Sequence, residues 1–206
     1  GPDAPLDQFA RGNTTAMTTS QKRGAVLFFG RAGCVTCHAV AGPSNEMFSD
    51  FAEHAIGAPQ IAPAFGAGAG NVVFAGAGHD EDFGLEEITG NPADRYKFRT
   101  APLRNLAVSP GFFHNGAFTR LADAIRFHLN VIAGARTYDA TNAGVPADLA
   151  LHLGPPVPVT MLDPEMGRSR PLNGRDIDDL VAFVRDGLHD PRVNAANLCA
   201  LVPSAV

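Results

Sequence analysis

The residues whose types and spacing most directly suggest chemistry are Cys34-Val35-Thr36-Cys37-His38, in a chain of 206 residues. A C-x-x-C-H run sets two thiols on one turn, where they can add to the two vinyl groups of a haem while the next imidazole turns onto the iron. A zinc ribbon would need a second ligand pair, and Cys199, the last of three cysteines, stands alone. A thioredoxin-type redox pair would want a strand before it and a βαβ frame, and neither is visible. The reading is therefore one covalently bound haem c, held by Cys34 and Cys37 and ligated on one side by His38. Cys199 is then an odd thiol, either an inert tail cysteine or a bridge to another chain.

Iron held by His38 has one more axial position. His128 is a candidate because Leu121, Ala124, Ile125 and His128 recur at spacings of three and four and share one helical face, so the imidazole points inward. The competing reading is a core histidine bonded to a carbonyl. Met161 and Met166, in a Pro-rich loop ahead of the last helix, are the other candidates. His54, His79, His152 and His189 have polar or loop contexts and read as ordinary. Asp80, Glu81, Asp82, Glu86 and Glu87 form a dense carboxylate cluster, read as a solvated or interface loop and not as a catalytic pair.

These groups need helices to position them. Thr18 and Gln21 make a capping box for a first helix that Gly30 ends, with Ala25, Phe28 and Phe29 on its apolar face. Thr119 is placed to cap a second helix, the one carrying His128. A third runs from about Gly174 to Leu188, capped by Asn173, with Ile177, Leu180, Val181, Val184 and Leu188 on one face and Asp176, Asp178, Asp179 and Asp186 off it. Between the first two helices the chain is loop-rich, and the GAGAG at 66–70 has no strand before it and no helix after it, which argues against a dinucleotide fingerprint. The expected fold is mostly α, a cytochrome c-like haem domain with long ordered loops. Its expected boundaries are an extended arm at 1–17, one haem domain at 18–190 and a tail at 191–206.

A hydrophobic fraction of 45% is enough to fill a real core, and no apolar run is long enough to span a bilayer. A net charge of −5 without a Lys/Arg block argues against nucleic acid and anionic lipid as partners. The opening GPDAPLDQF carries no initiator Met and reads as a processed start or a tag scar.

Residues 5–38, PLDQFARGNTTAMTTSQKRGAVLFFGRAGCVTCH, the block KFRTAPLRNLAVSPGFFHNGAFTRLADAIRFHL at 97–129 and the closing DIDDLVAFVRDGL resemble the C-terminal, electron-transferring haem domain of bacterial dihaem cytochrome c peroxidases and MauG-like enzymes. Members of that family carry two C-x-x-C-H motifs, and this chain has one. The resemblance implies single-electron relay to a peroxide-reacting haem on an N-terminal half, as a domain or a separate chain, which holds the catalytic Glu and Gln. It implies no catalytic residue here, an external donor such as a small cytochrome or cupredoxin, and a periplasmic or otherwise extracytoplasmic location. A stand-alone monohaem carrier without catalysis is the alternative. By register with the family, His128 stands at the distal-ligand position, where Met or Tyr is usual. His114 of FFHNG matches a position near the haem and domain interface, either bonded behind a ligand or buried as structure. Arg104 of the LRN block either pairs with a haem propionate through its two-toothed fork or is an exposed or Asp-paired arginine. Ser109 and Gly111 match the family's calcium-binding carbonyls, although this chain reads S-P-G where T-x-P is usual.

Overall fold

A computed structural model describes residues 3–42, 46–62, 81–150 and 152–198. In chain order the described residues form helices α1 (Pro5–Ala10), α2 (Thr19–Phe29), α3 (Glu86–Thr89), α4 (Leu121–Leu129), α5 (Val131–Thr137), α6 (Gly174–Val181) and α7 (Ala195–Leu198). Among them lie the short strands β1 (Glu53–His54), β2 (Ile61–Ala62), β3 (Phe98–Arg99) and β4 (His152–Leu153). β1 pairs antiparallel with β3, in register Glu53 to Arg99, and β2 pairs antiparallel with β4, Ile61 to Leu153. The architecture is mostly helical, as expected. It divides into two compact units, one of Gly1–Asp50, Ala101–Ser109 and Asn173–Val206, the other of Phe51–Thr100 and Pro110–Leu172.

The first unit is built on α2 and α6. The expected capping box is present, with the Gln21 amide donating to the Thr18 hydroxyl and the Thr18 amide donating to the Gln21 side chain. Asn173 and Asp176 make the same reciprocal pair at the start of α6. The two helices meet at Gly24, where a Cβ would lie 1.9 Å from the backbone oxygen of Asp179. Only a residue without a side chain allows backbones so near one another. Around this crossing Leu27, Phe28, Ile177, Leu180, Phe183, Val184 and Leu188 are buried. Phe28, Phe48 and Phe183 pack ring to ring at 5.4–6.3 Å, in edge-on geometries that suit aromatic quadrupoles.

Three features of this unit differ from the sequence expectation. The arm at 1–17 is not extended throughout, because Pro5 opens α1 and Asp7 accepts from the Ala4 amide at its start. Asp179, expected on the polar face, is buried and takes Arg23 at 2.7 Å together with the Ser20 hydroxyl. The Arg23 hydrogen bond holds that carboxyl below the usual carboxylate range, against the opposing effect of burial. Finally, the third helix is α-helical only to Val181 and continues as a wider π-turn over Ala182–Gly187.

The second unit has its own core, in which Phe118, Ala124, Phe127 and Val131 of the α4–α5 region pack with Ile61, Ala140, Ala143 and Val145. Thr119 does not cap α4. Its hydroxyl donates to the Ala143 carbonyl, and Arg120 takes the cap position without a side-chain bond. The FFHNG segment is a tight reversal in which the Phe112 amide donates to the Phe118 carbonyl at 2.8 Å. Phe113 (φ 64) and Gly116 (φ 72) supply left-handed backbone there. Asn115 ties the reversal down, donating to the Pro59 carbonyl at 2.7 Å and accepting from the Ala117 amide at 3.1 Å.

Candidate metal centre

Gly33, in the left-handed region at φ 70, turns the chain out of the α2 segment into a 3-10 turn over Cys34–Thr36. The His38 amide closes onto the Cys34 carbonyl at 2.9 Å, so both half-buried cysteines and the histidine lie on one turn, as the motif requires. The Asp50 amide donates to the Cys37 carbonyl at 2.8 Å and the Ser49 amide to the Ala39 carbonyl at 3.0 Å, folding residues 46–50 back along the motif. From this returning segment the Phe48 carbonyl accepts the Nδ1 proton of His38 at 2.9 Å. A carbonyl at Nδ1 selects the tautomer whose lone pair is on Nε2, which is the nitrogen a metal takes, and it raises the basicity of that nitrogen. Two thiols on one turn and an imidazole locked in the ligating tautomer fit a covalently attached haem. Phe48 is a contributor that sequence reasoning missed.

In the second unit His128 has the same arrangement by different means. Its Nδ1 donates to the Ala124 carbonyl one turn back on α4, at 2.9 Å, and its ring stacks on Phe113 at 4.9 Å. Burial lowers its pKa below the ordinary imidazole value, with the Ala124 carbonyl pulling the other way, so the ring is neutral at pH 7 and keeps a lone pair on Nε2. The carbonyl bond that defines a core histidine is thus also the bond that orients a metal ligand. Met166 packs against the core of this unit, and Met161 lies half-buried in the 3-10 turn Val159–Met161.

Arg104 is paired with Asp7: its Nη1 and Nη2 each reach that carboxylate at 2.8 Å and its Nε donates to the Glu46 carbonyl at 3.0 Å. The Asp-paired alternative describes it. His114 is not a buried structural residue. It lies near the surface with its ring stacked on Phe98 at 3.7 Å and Nε2 bonded to Asp82 at 3.1 Å. The Ser109 amide donates to the Leu106 carbonyl at 3.1 Å, and Gly111 lies against the FFHNG reversal, where a Cβ would be 3.4 Å from Gly116.

The carboxylate cluster is more tightly bonded than a solvated loop. Glu81 accepts from the Tyr96 hydroxyl at 2.5 Å, Glu86 pairs with Arg95, and Glu87 accepts from the Phe83 amide at 3.0 Å. His54, expected to be ordinary, bonds through Nδ1 to Asp163 at 2.5 Å. Asp80, His79, Cys199 and the glycines at 66–70 lie outside the described residues.

No family model matches the chain. A cytochrome-c peroxidase of Pseudomonas sp. strain SCT, IdrP1, is 36% identical over 138 residues, covering 60% of this chain and 35% of that protein. Its counterpart IdrP2 from the same strain is likewise matched over 36% of its length, so the chain spans only about a third of these curated relatives. Among solved structures, a MauG-like protein associated with microbial copper homeostasis superposes with a TM-score of 0.60 at 22% identity, over 93% of this chain and 53% of that one. The diheme peroxidase BthA from Burkholderia thailandensis gives 0.57 at 26% identity, over 92% and 47%.

Proposed function

We propose that this chain, a member of the dihaem cytochrome c peroxidase and MauG-like family, works as that family's electron-transferring haem unit. The observation that carries the proposal is the Cys34–His38 turn with its imidazole held by the Phe48 carbonyl. In this reading Cys34 and Cys37 would form the thioethers, and His38 and His128 would each offer Nε2 to the iron. Haem bound in this way supplies reversible one-electron transfer. The residues of the chain fix the rest: the Phe48 and Ala124 carbonyls choose the tautomers of His38 and His128, and burial keeps His128 unprotonated.

Electrons would enter from an external donor such as a small cytochrome or cupredoxin and leave toward a peroxide-reacting haem on an N-terminal half. Calcium at the Ser109 and Gly111 carbonyls belongs to the same proposal and would need ligands from that half. Thioether attachment matures outside the cytoplasm, which supports a periplasmic location, and among the described residues no helix is long and apolar enough to cross a membrane.

The test is intact mass after denaturation, since thioether bonds survive unfolding and axial bonds do not. Material from a host competent in c-type maturation is expected to show the polypeptide plus one haem. A bare polypeptide mass would sink the proposal.

A further inference from the structure

A chain of contacts outside the haem motif runs from α1 to the His38 imidazole, all within the first unit. Asp7 on α1 and Arg104 have side chains only 8% and 11% exposed, and they meet through two parallel hydrogen bonds of 2.8 Å. A guanidinium this far from water is costly unless it is paired, and a two-toothed carboxylate also fixes its plane. The remaining edge of that plane, Nε, grips the Glu46 carbonyl at 3.0 Å, and the guanidinium carbon lies 5.3 Å from the centre of the Phe48 ring. The neighbouring Leu103 amide donates to the Met47 carbonyl at 3.2 Å. Residues 46–48 are therefore held from one side by 103–104, while on the other the Phe48 carbonyl receives the His38 proton.

Phe48 holds this pose at φ 59. Left-handed backbone is unfavourable for a bulky residue and persists only where the surroundings impose it. Arg104 and Leu103 supply the contacts to 46–48 from one side, beside the packing of the Phe48 ring on Phe28 and Phe183 and the Ser49 and Asp50 amide bonds to Ala39 and Cys37.

We propose that Arg104, anchored by Asp7, is a positioning residue for His38, clamping the 46–48 turn so that the Phe48 carbonyl fixes the tautomer and donor strength of the imidazole. This rests on His38 being a haem ligand. Without the clamp Phe48 relaxes, the carbonyl turns away, and an imidazole with a weaker Nδ1 hydrogen bond gives less electron density to iron. Ferric iron is then less favoured and the reduction potential rises.

The experiment compares the haem-loaded wild type with Arg104→Gln, Asp7→Asn and Arg104→Lys. Arg23→Gln serves as a control that loosens the α2–α6 ion pair in the same unit without touching residues 46–48. Absence of haem in the wild type by mass would overturn the underlying reading, and this proposal with it. With haem present, Arg104→Gln and Asp7→Asn are expected to shift the reduction equilibrium about tenfold, ~59 mV upward for one electron. They should also move the ferric haem-methyl NMR shifts, which follow the imidazole plane. Arg104→Lys, keeping the charge without the fork, should fall between. Arg23→Gln should melt lower at an unchanged potential. Variants of Arg104 and Asp7 that melt lower while potential and shifts stay at the wild-type values would make the pair merely structural and overturn the proposal. Equal movement by Arg23→Gln would do the same. If Arg104→Gln does not fold, Asp7→Asn, which keeps the arginine, decides between the outcomes.

Discussion

His38 and His128 each bond Nδ1 to a backbone carbonyl by different routes, one ten residues along on a returning loop and one a single helical turn back. Both routes leave the lone pair on Nε2. His128→Ala is therefore expected to open the iron to added cyanide or imidazole, seen as new ligand-dependent bands, while the wild type should lack the near-infrared band of methionine ligation. An unchanged six-coordinate spectrum in the variant would transfer the role to Met161 or Met166. At this scale the sequence marks candidates by residue type and spacing, as with Cys34, Cys37 and His38, which the structure places on one turn. The Phe48 carbonyl was invisible because a backbone acceptor has no residue-type signature, and its aim depends on a φ that phenylalanine does not advertise. Arg104 was visible as a fork but not as one whose partner, Asp7, lies almost a hundred positions earlier.

The helices were legible through their caps and apolar spacing. The errors occurred where an element answers to more than one neighbour. Thr119 bonds a distant carbonyl instead of its own helix, and Asp179 is drawn inward because Gly24 lets α2 approach it with Arg23 and Ser20 alongside. That crossing can be tested by Gly24→Ala. Helix propensity alone would favour alanine by about 1 kcal/mol. The added Cβ would sit 1.9 Å from a backbone oxygen that cannot rotate away, and overpacking of this kind costs about 1–3 kcal/mol or more. The contact should outweigh the propensity, so a lower denaturant midpoint at unchanged slope is expected. An unchanged or raised midpoint would mean that α2 and α6 do not cross this closely at Gly24.

At the scale of the whole molecule, the grouping of Gly1–Asp50 with Asn173–Val206 in one compact unit has no local signal in the sequence, because it joins segments far apart along the chain. The family resemblance supplied what local reading could not, and the chain covers 53% and 47% of the two solved structures it is similar to. Peroxide turnover needs an open iron position and acid/base groups to help split the O–O bond. If His38 and His128 both ligate the iron, as proposed, peroxide would have no place at the metal. Among the carboxylates at 81–87, Glu81 bonds Tyr96, Glu86 pairs with Arg95, Glu87 accepts from the Phe83 amide and Asp82 bonds His114. The 206-residue chain alone is therefore expected to oxidise a reduced donor with peroxide far more slowly than an enzyme-like rate, on the order of 1 per second. Adding an N-terminal haem half from the family should raise that rate, and His128→Ala should raise adventitious peroxide reactivity of the isolated chain. Stopped-flow oxidation of a reduced donor measures all three. Turnover at about 1 per second or faster by the unmodified chain, with the spectrum of two bound axial ligands intact, would place the chemistry on this unit and refute the division of labour between the two halves.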